Sequence, residues 1–159
     1  MDLINAAERV EFFQQATKDR IPTLLINNAG FGTVSRFSEV DINRELDMIS
    51  LNCQALVDLS HRAYQSMKDR GSGSIVNVAS IAAYQPVTFM TTYAATKAFV
   101  HNFSLALNAE AKEHGVHVMS HCPGPTESEF HLVSGLDSKL DKLSVMTAEE
   151  VVALSLIHI

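Results

Sequence analysis

The apolar positions of this chain follow two kinds of spacing that alternate from one end to the other. Short continuous apolar runs bounded by polar residues or Gly are typical of buried parallel strands. Longer segments between them place apolar residues at intervals of three and four, which is the spacing of a helix face. The short runs predict strands at 23–27, 74–78 and 116–120. The longer segments predict helices at 8–18, 41–70 and 92–114.

Local signals mark the ends and the apolar faces of these predicted helices. Gly71 and Gly115 suit the left-handed conformation that ends a helix. Thr147 and Glu150 have the spacing of a capping box, which predicts the start of another helix. The apolar faces either pack on the sheet of their own chain or pair with another subunit. They consist of Val10, Phe13 and Thr17 in the first helix, Leu46, Ile49, Cys53, Leu56 and Val57 in the second, and Phe99, Phe103 and Leu107 in the third.

Strands that alternate with helices predict βαβ units and a parallel sheet covered on both faces. The predicted fold class is therefore α/β, a doubly wound parallel sheet of the Rossmann type. A length of 159 residues fits a single domain. Ligands of such sheets bind beyond the carboxyl ends of the strands. Candidate functional residues accordingly follow the predicted strands, at 27–30, 79–80 and 123–124.

The composition argues against several classes of function. A net charge of −6 disfavours nucleic acid or an anionic membrane as partner, because both need an excess of Lys and Arg. The sequence has no apolar run near the roughly 20 residues that span a bilayer, and no secretion signal. The seven His residues lack zinc-binding spacing, and Cys53 and Cys122 form no CxxC pair, so no metal site is predicted. We expect reduced thiols and a cytoplasmic protein.

Tyr93 and Lys97 form the first candidate pair for chemistry. They are four residues apart in a predicted helix, so both side chains lie on one face. A phenol has a pKa near ~10 and carries protons poorly at neutral pH, whereas a nearby ammonium lowers that pKa. Lowering it by about two units needs roughly 2.7 kcal/mol. The alternative interpretation is a half-buried Tyr beside a solvated Lys.

Ser80 and Asn52 are candidates for supporting roles. Ser80 ends a predicted strand thirteen residues before Tyr93, and a hydroxyl there can hydrogen-bond a substrate oxygen. The alternative role of Ser80 is that of a turn or cap residue. Asn52 lies in a helix interior, where Asn usually faces solvent. Its apolar neighbours Leu51 and Cys53 favour a buried, hydrogen-bonded Asn that holds a water linking Lys97 to bulk solvent.

Five segments, taken together, resemble the short-chain dehydrogenase/reductase family of the simple Rossmann-fold type. They occur in the order and spacing of the family and cover most of the chain. They are the Asn-Asn-Ala-Gly motif at 27–30, Asn52 in ISLNCQAL, Ser80 in IVNVAS, Tyr93 and Lys97 in YAATK, and the Pro-Gly segment at 123–124 in HCPGPTESEF.

The resemblance implies hydride transfer between NAD or NADP and a small carbonyl or secondary alcohol. It implies that Tyr93 is the general acid/base and that Lys97 lowers its pKa and binds the nicotinamide ribose. Ser80 would orient the carbonyl, and Asn52 would complete a proton relay. A homodimer or homotetramer is also implied. The remaining cofactor-binding residues implied are Asp2 at the adenine, Asn28, Ala29 and Gly30 at the adenosine ribose, and Pro123, Gly124 and Ser128 at the nicotinamide, where Ser128 replaces the Thr of many members.

The chain departs from the family pattern at both ends. It contains no TGxxxGxG loop, the segment that places a pyrophosphate at a helix N-terminus. We expect residues 1–159 to be a single partial NAD(P)-binding domain that lacks the N-terminal βαβα units and the C-terminal strand. The alternative is a non-catalytic interaction protein or an inactive fragment that kept the fold. By resemblance, residues 126–146 form a substrate lid. Its apolar residues favour a non-polar substrate: Phe130, Leu132, Val133 and Leu136.

Overall fold

The computed structural model describes residues 1–127, Phe130, Ser134 and residues 145–156. The helices are α1 (Ala6–Thr17), α2 (Ile42–Ile49), α3 (Leu56–Arg70), α4 (Thr91–Ala111) and α5 (Ala148–Leu156). The strands are β1 (Leu24–Asn27), β2 (Gly73–Val78) and β3 (Val116–His121). The predicted elements are confirmed in type and order, with ends that differ by a few residues. Within these ranges, every helix is too short or too polar to cross a bilayer.

The three strands form a parallel sheet in the order β1-β2-β3. The register aligns Leu25, Ile75 and Val118, so these side chains point to the same face of the sheet. Helices α3 and α4 pack side by side on this face. The core between them and the sheet consists of buried residues from all these elements: Ala63, Met67, Ile75, Ala111, Val116 and Val118.

The opposite face of β1 is not covered in the way that the sequence predicts. Leu24 is 38% exposed and Ile26 is 53% exposed. These two residues alternate with Leu25 and Asn27 and therefore point away from α3 and α4. The prediction of a strand buried on both faces is thus wrong for β1 and holds for the central strand β2, where Ile75 and Val76 are both buried.

The helix predicted over 41–70 is continuous but contains one turn of π-helix, Ser50–Ala55, between α2 and α3. Such a turn inserts an extra residue and changes the direction in which the following side chains point. Leu46 and Ile49, before the turn, are 53% and 38% exposed, whereas Cys53 and Leu56 are buried. The predicted apolar face is therefore divided into an exposed half and a buried half.

The ends of the helices follow the predicted local signals. Asn5 caps α1 through hydrogen bonds from the amides of Ala7 and Glu8, and α1 therefore begins before residue 8. Gly71 and Gly115 adopt the left-handed conformation, with φ of 75° and 69°. The capping box before α5 is confirmed, because Thr147 N–H donates to Glu150 and Glu150 N–H donates to the Thr147 hydroxyl.

A buried polar network ties the sheet to both helices on its covered face. Asn27 Nδ2 donates to Asn77 Oδ1 at 2.8 Å and to Ser60 Oγ at 2.9 Å. Asn77 Nδ2 in turn donates to Ser104 Oγ at 2.9 Å. The four side chains come from β1, β2, α3 and α4, and each is at most 9% exposed. Because each amide finds its partners in this network, the carboxyl ends of β1 and β2 are held at fixed positions.

We expect Asn77→Leu to lower the free energy of unfolding by about 2–4 kcal/mol, because it removes two good hydrogen bonds and leaves buried groups of Asn27 and Ser104 without them. Urea unfolding of the whole protein measures this as a lower midpoint with an unchanged slope. Asn102→Leu is the matched control, since its exposed amide donates one bond to Ala98 O. Equal losses in both variants would contradict a special role for the network.

Candidate active site

Tyr93 and Lys97 lie in the first turns of α4 and face the sheet. Tyr93 is 9% exposed and Lys97 is 6% exposed. The Lys97 ammonium nitrogen lies 5.7 Å from the centroid of the Tyr93 ring. The two side chains therefore share one face of the helix, as their spacing predicts. The interpretation of Lys97 as a solvated surface residue is wrong.

Ser80 follows β2 and begins the short helical turn Ile81–Tyr84. Its hydroxyl oxygen accepts a hydrogen bond from the Ala82 amide at 3.2 Å. Its side chain also makes a hydrogen bond to Tyr93. Ser80 is therefore a cap residue and a neighbour of the phenol at the same time, so the two roles proposed for it from sequence are compatible.

The pKa of Tyr93 is raised above its usual value, because burial disfavours the charged phenolate. The hydrogen bond from Ser80 opposes this and lowers the pKa. The sequence predicts a lowered pKa through Lys97, and the structure differs in direction. Burial of the ring outweighs the favourable contacts, since the Tyr93 side chain packs beneath the loop at Gly32.

Lys97 is a buried ammonium whose pKa is lowered to about 8 by desolvation, an effect that the thiols of Cys53 and Cys122 partly oppose. Its nitrogen donates a hydrogen bond to the carbonyl oxygen of Val78 at 2.7 Å. An ammonium has three donor hydrogens. Among the described residues, the carbonyl oxygen of Val78 accepts one of them. The remaining donors fit a pair of ribose hydroxyls, the group that the family resemblance assigns to Lys97.

We expect nicotinamide cofactor binding to weaken as the pH rises through about 8, since Lys97 is an ammonium below this lowered pKa and a neutral amine above it. Bound ribose hydroxyls favour the charged donor, so the dissociation constant rises with pH by at most about tenfold per unit. Fluorescence titration of the whole protein with NADPH on both sides of this pH measures the effect. The Lys97→Arg variant stays charged, so its dissociation constant should not change with pH. A wild-type dissociation constant that does not change with pH would contradict the prediction.

Asn52 lies in the π-helical turn and is 2% exposed. Its Oδ1 accepts from Phe31 N–H at 3.2 Å, and its Nδ2 donates to Phe31 O at 3.0 Å and to Thr96 Oγ1 at 3.1 Å. Turns of π-helix are often found at functional sites. The predicted buried, hydrogen-bonded Asn is confirmed, and its side chain joins the loop after β1 to α4.

Gly30 has a packing role that the sequence does not reveal. A Cβ at this position would lie 2.8 Å from Asn52 Oδ1 and 3.7 Å from the Lys97 nitrogen. The missing side chain thus allows the loop to approach Asn52. The sequence assigns Gly30, with Asn28 and Ala29, to the adenosine ribose, and all three are exposed at the end of β1. Their contact with a nucleotide stays a prediction.

The other predicted cofactor residues are distributed around this end of the sheet and beyond it. Pro123 O accepts from the Ile81 amide at 3.0 Å, which holds the Pro-Gly segment against the turn that follows Ser80. A Cβ on Gly124 would meet open space. Asp2 Oδ1 accepts from the Ile4 amide in an exposed turn before α1, so its assignment to adenine stays a prediction. Ser128 and most of the predicted lid lie outside the described residues.

Sequence reasoning missed two contributors to this site. The Val78 carbonyl oxygen is a backbone group and gives no sequence signal. Thr96 is 3% exposed and joins Asn52 to α4. The signal that points to it is a polar residue one turn after Tyr93 on the same helix face. Phe130 of the predicted lid is among the residues that the structure describes. The centroid of its ring lies 5.2 Å from the centroid of the Tyr93 ring. Among the described residues, no three His, Cys, Asp or Glu side chains could hold a metal ion.

The comparison with known families agrees with this geometry. The family model described as short chain dehydrogenase matches residues 1–136. The chain belongs to the short-chain dehydrogenase family. Among members with curated names, the probable oxidoreductase EphD of Mycobacterium tuberculosis is 31% identical over 135 residues, which cover 83% of this chain and 23% of that protein. Sulfoacetaldehyde reductase 2 of Chromohalobacter salexigens is 36% identical over 116 residues, covering 72% and 46%.

Solved members of the family have the same architecture. A short-chain dehydrogenase from Sphingobium yanoikuyae, solved in complex with NADPH, superposes with a TM-score of 0.90 at 31% identity. The match covers 98% of this chain and 61% of that one. The chain thus spans less than half of the two curated relatives and about three fifths of a solved family member.

Proposed function

We propose that the whole protein carrying this chain is an NAD(P)-dependent oxidoreductase that interconverts a carbonyl and a secondary alcohol. The observation that carries the proposal is the juxtaposition of Tyr93, Ser80 and Lys97 at the carboxyl end of β2. A buried phenol in contact with a serine hydroxyl, beside a buried ammonium, has no evident structural purpose. It suits the transfer of a proton to or from a substrate oxygen.

In the proposed mechanism, the Ser80 and Tyr93 hydroxyls bind the substrate oxygen and polarise the carbonyl. A nicotinamide nucleotide bound at Lys97 and the Pro-Gly segment would supply the hydride for reduction and would accept it in oxidation. As negative charge develops on the oxygen, Tyr93 donates its proton, and in oxidation it removes the proton from the alcohol. Lys97 stabilises the resulting phenolate by its positive charge. Asn52 holds the loop after β1 next to Tyr93 and Lys97. We assign Asn52 a supporting position in a proton relay.

The residues present fit a nicotinamide nucleotide. Lys97 keeps donor hydrogens for ribose hydroxyls, and the space beside Gly124 leaves room for a planar ring against the Pro-Gly segment. The Sphingobium relative was solved with NADPH. The proposal includes both NAD and NADP, because none of the residues assigned to the cofactor separates a ribose hydroxyl from a 2′-phosphate.

The decisive experiment is titration of the purified whole protein with NADH and NADPH, followed by turnover on a panel of aldehydes, ketones and secondary alcohols. We expect saturable binding of at least one nucleotide and oxidation of it with a carbonyl substrate. The second candidate is a non-catalytic binding protein, which is favoured only if the whole protein also lacks a TGxxxGxG segment. An in-frame segment of that kind upstream of Met1 supports the enzyme. A genuine start at Met1, together with no nucleotide binding, supports the second candidate.

We further propose that the whole protein assembles as a homodimer or homotetramer in the cytoplasm. Five apolar side chains of α2 and α4 are exposed by 38–56%: Ile42, Leu46, Ile49, Phe99 and Leu105. A cleft of about 830 Å³ lies on the side of α4 that carries Ala95 and Ala98, away from Tyr93 and Lys97. Exposed apolar helix faces of this kind are typical of subunit interfaces. Sedimentation of the wild-type protein and of Leu46→Glu tests the assembly; a monomeric wild type would contradict it.

A further inference from the structure

Thr96 stands between Tyr93 and Lys97 on α4 and has no role in the mechanism described above. It is 3% exposed, although its hydroxyl is polar and needs hydrogen-bond partners when buried. A side chain of this kind at this position either closes a gap in the core or connects the groups around it.

The hydroxyl of Thr96 has one proton, and its direction is fixed by its two contacts. Thr96 Oγ1 lies 2.8 Å from the Tyr93 carbonyl oxygen and donates its proton there. Towards Asn52 the same oxygen must therefore accept, and Asn52 Nδ2 donates to it at 3.1 Å. The hydroxyl thus joins the side chain of Asn52 to the turn of backbone that carries Tyr93.

The Asn52 amide transmits this connection to the neighbouring loop. Its remaining hydrogen bonds go to the N–H and the carbonyl oxygen of Phe31. Its Oδ1 and the Lys97 nitrogen both line the small space that a Cβ on Gly30 would occupy. A rotation of the amide would therefore disturb the loop and the surroundings of the ammonium together.

We infer that Thr96 is a positioning residue, whose hydroxyl holds the Asn52 amide in one orientation and thereby sets the loop at Gly30 and Phe31 relative to Tyr93 and Lys97. This inference rests on the proposed oxidoreductase activity. It goes beyond that activity by assigning to Thr96 a contribution to turnover through Asn52.

The test compares Thr96→Val, which keeps the shape and loses the hydroxyl, with Thr96→Ser, which keeps the hydroxyl. In the whole protein, we expect Thr96→Val to lower kcat about tenfold, with KM for the nucleotide changed less, because a catalytic group moves by a fraction of an ångström. The pH midpoint of kcat should shift, because the predicted relay passes through Asn52. Thr96→Ser should restore both kcat and the midpoint. Thr96→Ala serves as the variant without hydroxyl if the Val variant does not fold.

Thr17→Val is the matched control. The Thr17 hydroxyl also donates to a carbonyl one turn earlier, Phe13 O at 2.7 Å, but it lies on α1. We expect wild-type kcat and pH midpoint in this variant. If Thr96→Val lowers the melting temperature but leaves kcat and the pH midpoint unchanged, Thr96 has only a structural role and the inference is overturned.

A readout independent of turnover is hydrogen exchange of the Asn52 side-chain amide, measured by NMR. Exchange should be faster in Thr96→Val than in wild type and Thr96→Ser. If the wild-type protein shows no nucleotide-dependent turnover, the proposed function fails. Faster exchange then still supports the positioning contact, whereas unchanged exchange overturns it.

Discussion

Replacement of Tyr93 by Phe is expected to lower kcat about 10³-fold while nucleotide affinity changes little. The substitution removes one oxygen atom from a buried ring that keeps its packing against Phe130 and the loop at Gly32. General acid/base groups contribute roughly 10²–10⁴-fold to turnover, so the loss of the phenolic proton should dominate. Steady-state kinetics of the whole protein at saturating nucleotide measures kcat, and fluorescence titration measures the affinity.

Tyr64→Phe is the control for this variant. Tyr64 is half-buried on α3 and packs on the core at the other end of the sheet, where its ring faces His114. The same chemical change there should leave kcat within about twofold, which is less than ~0.5 kcal/mol of activation free energy, because Tyr64 lies away from the groups proposed to react. If Tyr93→Phe retains full turnover, the proposed proton transfer is wrong.

Replacement of Lys97 by Met is expected to lower kcat about 100-fold and to weaken nucleotide binding in the same variant. The reason is the proposed stabilisation of the Tyr93 phenolate by the Lys97 charge, and a loss of about 100-fold corresponds to roughly 2.7 kcal/mol of that stabilisation. The variant should fold, because an apolar side chain in place of Lys97 removes the cost of burying a charge. The Val78 carbonyl oxygen loses its donor, which limits any gain in stability.

Lys112→Met provides the comparison, since Lys112 is exposed just after the end of α4. It removes the same charge from the protein without touching the site, so kinetics and affinity should match wild type. A Lys97→Met variant with lowered kcat but wild-type affinity would argue against the assignment of Lys97 to the ribose. A Lys97→Met variant with wild-type kcat but weakened nucleotide affinity would argue against the stabilisation of the Tyr93 phenolate by Lys97.

The spacing of residues predicted the geometry of the site more accurately than it predicted which helix faces are buried. The four-residue separation of Tyr93 and Lys97 is enough to place them on one helix face, and a strand end before Ser80 places its hydroxyl near them. These are local geometric rules, and they hold whatever packs around them. The direction of the Tyr93 pKa depends instead on how deeply the ring is buried, and burial is decided by the loop at Gly32, which lies far from Tyr93 in the sequence.

The errors at Leu24, Ile26, Leu46 and Ile49 have two physical origins. An apolar run predicts a strand, but it does not tell how many of its faces are covered by helices. A periodic pattern assumes a regular helix, and the π-helical turn at Ser50–Ala55 breaks that assumption. The buried network of Asn27 and Asn77 was also missed, because polar residues in strands are normally taken to face solvent. Their partners, Ser60 and Ser104, lie in other elements.

The π-helical turn also constrains how the length of this segment can vary. Loss of a single residue between Ser50 and Ala55 would restore a regular helix, and α2 and α3 would keep their present faces, because the wider turn accommodates one extra residue. The side chains inside the turn would change direction instead. Asn52 is one of them, and it would lose its contacts to Phe31 and Thr96. Sequences that share this site should therefore conserve the length of this turn more strictly than the identity of its residues.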